Sequence, residues 1–183
     1  MFAAYDWYAF YQYAKDAIPA DVPTPRGNMV SVYFFVDADY DIERDKRIPQ
    51  TGILIFLNKA PILWYSKQHS TADNSTLSNH FIALKISTEL VEPLWYKLQM
   101  FGIPIEGPSN MFCENEYVYK NVPTPKLTLK KKTVSICYNK CREAVADGVS
   151  RISKEVTATN LDNLSNKLLV QIRRETMLEK FTY

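Results

Sequence analysis

The sequence predicts an α/β fold: a five-stranded mixed sheet, its first three strands antiparallel, with helices on both faces. Two observations carry that prediction. Apolar runs and helical stripes follow one another in the order three strands, helix, strand, helices, strand, helix. The first run, Val30 to Val36, is almost continuously apolar and β-branched or aromatic, as a central strand buried on both faces should be.

Each element has its own local reason. Phe2, Tyr5, Phe10 and Tyr13 have a loose helical spacing, which Pro19, Pro23 and Pro25 then break. Residues 1–28 therefore read as a lead-in or connection packed on a domain of residues 29–183. The first strand is expected to stop at Asp37-Ala38-Asp39. Gly52 to Leu57 and Ala60 to Ser66 are the second and third strands, joined at Asn58-Lys59. Lys59 is not the glycine a type I′ turn prefers, so the turn type stays open.

A long helix follows, because Leu77, Phe81, Leu84, Thr88, Val91, Trp95 and Leu98 recur in steps of four and three along one face. Gly102 is its expected stop, and Pro93 should bend it. Asn110 to Cys113 reads as a fourth strand and Glu114 to Asn121 as a brief helix. After Pro123 and Pro125, Lys130 to Val145 returns to helical spacing through Val134, Tyr138 and Cys141. Gly148 closes that helix, Val149 to Ser153 makes the fifth strand, and Thr159 is an N-cap for a last helix through Leu161, Leu164, Leu168 and Ile172.

Composition narrows the function classes. Apolar residues at 46% and charged residues at 23% describe a chain that folds around a core, not a disordered one. A net charge of +2 does not by itself argue for nucleic acid, so clustering of charge matters more than the total. No apolar run approaches the roughly 20 residues of a bilayer span, so no membrane partner is expected. No basic start followed by an apolar stretch marks a signal peptide. The three cysteines, Cys113, Cys137 and Cys141, form no C-x-x-C pair, and His69 and His80 are the only histidines, so a structural zinc site is not expected. An odd cysteine count fits a reducing, intracellular compartment, with cytoplasm and nucleus not distinguished.

The local sequence carries a resemblance. Thr51 to Leu57, followed by Asn58-Lys59-Ala60-Pro61-Ile62-Leu63-Trp64-Tyr65-Ser66-Lys67, resembles a Gly-hydrophobic strand, a turn and a strand ending Trp-Tyr-Ser-Lys. Ser75-Thr76 before Phe81-Ile82-Ala83-Leu84, Phe112-Cys113-Glu114-Asn115, Lys130-Lys131-Lys132 with Tyr138, Arg142 and Glu143, and Thr159-Asn160-Leu161 continue the pattern in order. Together they resemble the ribonuclease H domain of copia-type retrotransposon Pol polyproteins, C-terminal to the reverse transcriptase, over roughly residues 30–170.

That resemblance implies hydrolysis of the RNA strand of an RNA–DNA hybrid by two Mg²⁺ ions (or Mn²⁺) about 4 Å apart. Mg²⁺ demands hard oxygen ligands, and the family gathers four carboxylates at one end of the sheet. Carried over position by position, the set is Asp37, His80, Glu114 and Asn163, with Asp162 beside the last. Asp37 is intact and Glu114 adds a methylene to an aspartate. His80 offers a neutral nitrogen, and Asn163 only a carbonyl oxygen. Metal ligation would then rest on Asp37, Glu114 and Asn163, and the expected activity is impaired hydrolysis. Without the resemblance, Asp37 and Asp39 read as turn residues, and Glu114-Asn115 as a strand stop and helix cap.

Other signature positions also differ. Thr133 and Asn139 stand where the family carries histidines, and Asn166-Lys167 and Leu168 where it has Thr-Lys and a proline. Polar signature residues change while the apolar framework persists. Phosphate contacts would come from Lys67, Lys130, Lys131, Lys132 and Arg142, with Lys126 and Lys140 near them, although a solvated charged face explains the same residues. Two functions follow: an impaired RNA–DNA hybrid ribonuclease, or a non-catalytic module that binds nucleic acid or packs against a reverse transcriptase domain. No polymerase motif is present, so polymerisation by this chain alone is excluded.

Overall fold

The computed structural model describes residues 19–40, 49–69, 76–122, 132–155, 161 and 175. Its sheet is built outward from β1 (Val32–Tyr40), which is hydrogen-bonded on both sides. On one side, β1 pairs antiparallel with β2 (Pro49–Leu57), which pairs antiparallel with β3 (Ala60–Gln68). On the other, β1 pairs parallel with β4 (Ser109–Cys113), and β4 with β5 (Ser150–Lys154). The five-stranded order is β3-β2-β1-β4-β5, as the sequence predicts.

β1 does not stop at Asp37. It runs on to Tyr40 because β2 keeps pairing with it as far as Tyr40↔Pro49, whereas the parallel partner ends at Val36↔Cys113. Cross-strand pairing overrides the local turn preference of Asp37-Ala38-Asp39. At the far end, Asn58 carries a positive φ of 54°, and among the described non-glycine residues it is alone in that. A type I′ turn needs two such residues, so this turn is not one. Asn58 also ties the turn to β1: its amide donates to the Ser31 carbonyl at 2.8 Å, and its side-chain oxygen accepts from the Ser31 amide at 2.9 Å.

The β2–β3 pairing slips between Ile55 and Phe56, with Ile62 of β3 as the extra residue of a bulge. The slip sets Leu63 and Tyr65 opposite Ile55 and Ile53, packed against the main core, and turns Trp64 to the other face, 77% exposed. That is the period-2 consequence of a one-residue shift.

Alternation along β1 divides the apolar residues between two faces. Val32, Phe34, Val36 and Ala38 are buried with Ile53, Ile55, Met111 and Ile152. Over them lie α1 (Thr76–Met100), through Phe81, Ala83, Leu84, Val91 and Leu98, and α3 (Lys132–Ala146), through Val134, Cys137, Tyr138 and Cys141. Tyr33 and Phe35 face the other way, where Phe35 stacks on Phe112 at 5.0 Å and meets Phe56 edge-on at 5.8 Å. Leu161 is buried against Leu54 and Phe56 on that face, and the rest of the predicted last helix lies outside the described residues.

The two long helices are locked to each other and to the sheet. Phe81 meets Tyr138 edge-on at 5.6 Å, and the Tyr138 hydroxyl donates to the Asn121 carbonyl at 3.1 Å. Lys140 reaches both carboxylate oxygens of Glu92, at 2.7 and 2.9 Å. Burial pulls the Lys140 pKa down, but the hydrogen bond and charge of Glu92 outweigh it and the net shift is upward. Lys140 is therefore a helix–helix brace and not part of a free basic surface. Cys137 and Cys141 share a face, as their spacing predicts, and both are buried free thiols. Burial pushes the Cys141 thiol up to about 12, so it behaves as a small apolar group.

Both predicted glycine stops hold. After α1, the amides of Gly102 and Ile103 donate to Gln99 and Leu98 at 2.8 and 2.9 Å, and Gly102 has φ 68°. After α3, Gly148 (φ 72°) and Val149 do the same to Val145 and Ala144. These are Schellman ends, which need a left-handed residue. α1 runs unbroken through Pro93, whose ring is exposed. The backbone ahead of β1 is stitched to the segment after α1: Arg26 donates to Gly102 and Val30 to Pro104, each at 2.9 Å.

Phe34 is 0% exposed at the centre of the sheet, whereas Trp64 is 77% exposed at its edge. Phe34→Ala is expected to cost about 3–5 kcal/mol. Trp64→Ala, with far less area to lose, should stay within about 1 kcal/mol. Urea unfolding of the two variants beside the parent chain checks the contrast.

Candidate active site

Asp37 sits where β1 outruns β4. Val36 is the last residue of β1 with a partner on each side, so the next position keeps β2 as its neighbour and faces the open end of β4. Its partner across β2 is Gly52, which has no side chain, and Asp37 is only 3% exposed. A carboxylate buried to that degree needs compensation from hydrogen-bond donors or opposite charge.

His80 lies within reach. The α1 stripe puts Phe81 at 0% exposure in the core and leaves His80, one position earlier, at its margin. There the imidazole Nδ1 is 3.4 Å from the Asp37 carboxylate, with the His80 side chain 14% exposed.

Glu114 follows β4 directly, one register step past Val36↔Cys113, which places it at the same end of the sheet as Asp37. Its backbone is held from both sides. Cys113 accepts from the Glu155 amide at 2.9 Å, and Asn115 caps α2 (Glu116–Asn121) by accepting from Tyr117 and Val118 at 3.0 and 3.2 Å. The strand-stop and cap reading of this pair thus holds for Asn115, and the same cap fixes where Glu114 leaves the strand.

The structure therefore brings Asp37 and His80 together and sets Glu114 at the same sheet end. Asn163 and its neighbour Asp162 lie outside the described residues. Among the described residues, no three of His, Cys, Asp or Glu gather into a group that could hold a metal ion. Two divalent cations need several hard oxygen donors, and here an imidazole nitrogen stands against the central carboxylate. The described donor set does not fit a two-metal site.

The basic residues divide differently from the sequence expectation. Lys67 is exposed on β3, opposite Thr51. Arg142 is not on that surface: it is 6% exposed in α3, its guanidinium 5.0 Å above the Tyr138 ring. A cation over an aromatic face packs well, but a buried one meets no phosphate. Lys130, Lys131 and Lys126 lie outside the described residues, as does the side chain of Lys132, which opens α3.

Sequence reasoning missed one polar pair. The Thr51 hydroxyl, 0% exposed as a residue, lies 2.6 Å from Nε2 of His69. Cross-strand register was the available signal, but without the bulge Thr51 would face Ser66 instead of Lys67, and the pairing is hidden from simple counting.

Comparison with known proteins agrees with this architecture. No family model matches the chain. It is 23% identical over 149 residues to the retrovirus-related Pol polyprotein from transposon RE1 of Arabidopsis thaliana, covering 81% of this chain and 10% of that protein. The RE2 polyprotein of the same plant is 21% identical over 155 residues, with coverages of 85% and 11%. The chain thus spans about a tenth of the length of these curated relatives. Among solved structures, the N-terminal ribonuclease H domain of Rv2228c from Mycobacterium tuberculosis aligns at TM-score 0.53 and 10% identity, over 82% of this chain and 97% of that one. The foamy viral protease-reverse transcriptase in complex with RNA/DNA hybrid aligns at 0.55 and 16%, over 86% and 22%. LC11-RNase H1 in complex with RNA/DNA hybrid aligns at 0.51 and 15%, over 71% and 88%. The fold is ribonuclease H-like, and the sequence relatives are retrotransposon Pol polyproteins.

Burial lowers the pKa of His69 below its ordinary 6.5. The folded chain then takes up this proton less readily than the unfolded one, so His69 lowers stability as pH falls below about 6.5 and has no effect above it. Melting temperatures across pH 5 to 7.5 should show a steeper acid-side fall for the parent chain than for His69→Gln.

Proposed function

We propose that this chain is a retrotransposon-derived ribonuclease H domain that takes an RNA–DNA hybrid as its ligand, with two-metal hydrolysis of the RNA strand impaired to the point of loss. The observation that carries the impairment is the His80 imidazole 3.4 Å from the buried Asp37 carboxylate, at the position where a second carboxylate would complete the site. Asp37, Glu114 and Asn163 would be the oxygen donors for Mg²⁺ or Mn²⁺. Two carboxylates and one amide fall short of what a pair of hard divalent cations requires. A displacement of about 1 Å in such a site can alone cost on the order of 10²-fold in rate. The same observation favours the second reading, a module that binds hybrid without cleaving it.

Support for the ligand comes from the fold and from the chain's relatives. Two of the similar structures are complexes with RNA/DNA hybrid. Hybrid recognition draws on backbone phosphates and 2′-hydroxyls, which surface lysines and backbone amides can meet without a metal. Lys67, exposed on β3, and the Lys130–Lys132 run are the proposed phosphate contacts. The likeness to Pol polyproteins and to a viral protease-reverse transcriptase structure supports a reverse transcriptase domain as a partner. Among the described residues no helix is long and apolar enough to cross a membrane.

Fluorescence anisotropy with a labelled RNA–DNA hybrid tests the binding half. Affinity should fall with salt, and replacing Lys130, Lys131 and Lys132 by Ala should flatten the log–log slope by about 0.9 per lost phosphate contact. In the same samples, cleavage in Mg²⁺ or Mn²⁺ should be no faster than that of Asp37→Ala. Cleavage that vanishes with Asp37→Ala would mean that the site works, and absence of binding would remove the hybrid as ligand.

A further inference from the structure

We infer that His80 does locally what a divalent cation would do at this site: its imidazole N–H compensates the buried Asp37 carboxylate. The inference rests on the metal-poor reading of the site given above and goes beyond it, from what the site fails to do to what it does instead. A carboxylate at 3% exposure, on a strand paired through to Tyr40, is held out of water and needs a compensating donor. In a site of several carboxylates, cations would relieve the mutual repulsion. Here a neighbouring side chain approaches the same oxygen, with Nδ1 to Oδ1 at 3.4 Å.

The geometry around the pair suits a built-in donor. Gly52 opposite Asp37 leaves room on β2. Phe81, next to His80, is wholly buried against Tyr138 and anchors this turn of α1, so the imidazole is carried on a rigid element. The change is therefore a swap of one compensating group for another, and it is reversible in principle. His80→Glu would set a second acid against Asp37 and hand compensation back to a cation.

Thermal unfolding of the full chain, with a chelator and then with millimolar Mg²⁺ or Mn²⁺, reads this directly. The parent chain should melt at one temperature in all three conditions. His80→Glu should melt lower in chelator and recover on addition of either ion, by about 5–10 °C at saturation. A parent chain stabilised by Mg²⁺ or Mn²⁺, or a folded His80→Glu chain indifferent to both, would overturn the inference.

Should His80→Glu not fold, a cycle of His80→Gln and Asp37→Asn decides. The glutamine change should lower the melting temperature when Asp37 is present and do so much less in the Asp37→Asn background, where the facing group carries no charge. Equal drops in both backgrounds would sink the idea. None of these readouts depends on hybrid binding or cleavage, so failure here leaves the proposed function standing, and the reverse also holds.

Discussion

The two-sided pairing of β1 is the constraint on which the rest of the structure depends. A strand hydrogen-bonded along both edges and lined with apolar side chains on both faces must be covered above and below. That requirement places α1 and α3 over Phe34 and its neighbours. It also sets the aromatic group of Phe35, Phe56 and Phe112 on the opposite side, where Leu161 reaches the sheet. The unequal lengths of its neighbours then create the site. β4 ends at Cys113 while β2 continues, and the first residue past that step is Asp37.

Much of this was legible in the sequence because the apolar periods are strong. The run Val30–Val36, the α1 stripe and the glycines at 102 and 148 announce a strand, a helix and two helix ends, and the structure has each of them. What was not legible depends on partners distant in sequence. Asp37-Ala38-Asp39 looks like a turn because local preference knows nothing of β2, and only pairing with Gly52, Thr51 and Gln50 keeps it extended. The bulge at Ile62 is equally invisible, and it decides which of Leu63, Trp64 and Tyr65 reaches the core.

The same limit governs the charged residues. A lysine or arginine run states a charge and not its destination. Lys140 and Arg142 are two residues apart on α3 and look alike as parts of a basic surface. One braces Glu92 on α1 and the other lies over Tyr138, so neither is spare for phosphate. Lys67 belongs to an edge strand and stays exposed. His80 could be matched to a family position by sequence, but its meeting with Asp37 is a fact of folding, since only the packing of α1 on β1 brings position 80 to position 37.

Fold and site can part company in this architecture because their residues do different work. The core is held by alternate positions of β1 and by stripes on α1 and α3. Asp37 lies within β1 just past the end of its pairing with β4, Glu114 just beyond the end of β4 and His80 at the margin of α1, all three outside the apolar clusters. Exchanging a carboxylate for an imidazole at position 80 removes no core contact, because the adjacent Phe81 supplies the packing of that turn. What the exchange does alter is the compensation of one buried charge, and a histidine can supply that locally. On the proposed reading, the sheet keeps its strand register through such an exchange as long as the buried carboxylate at position 37 has a donor.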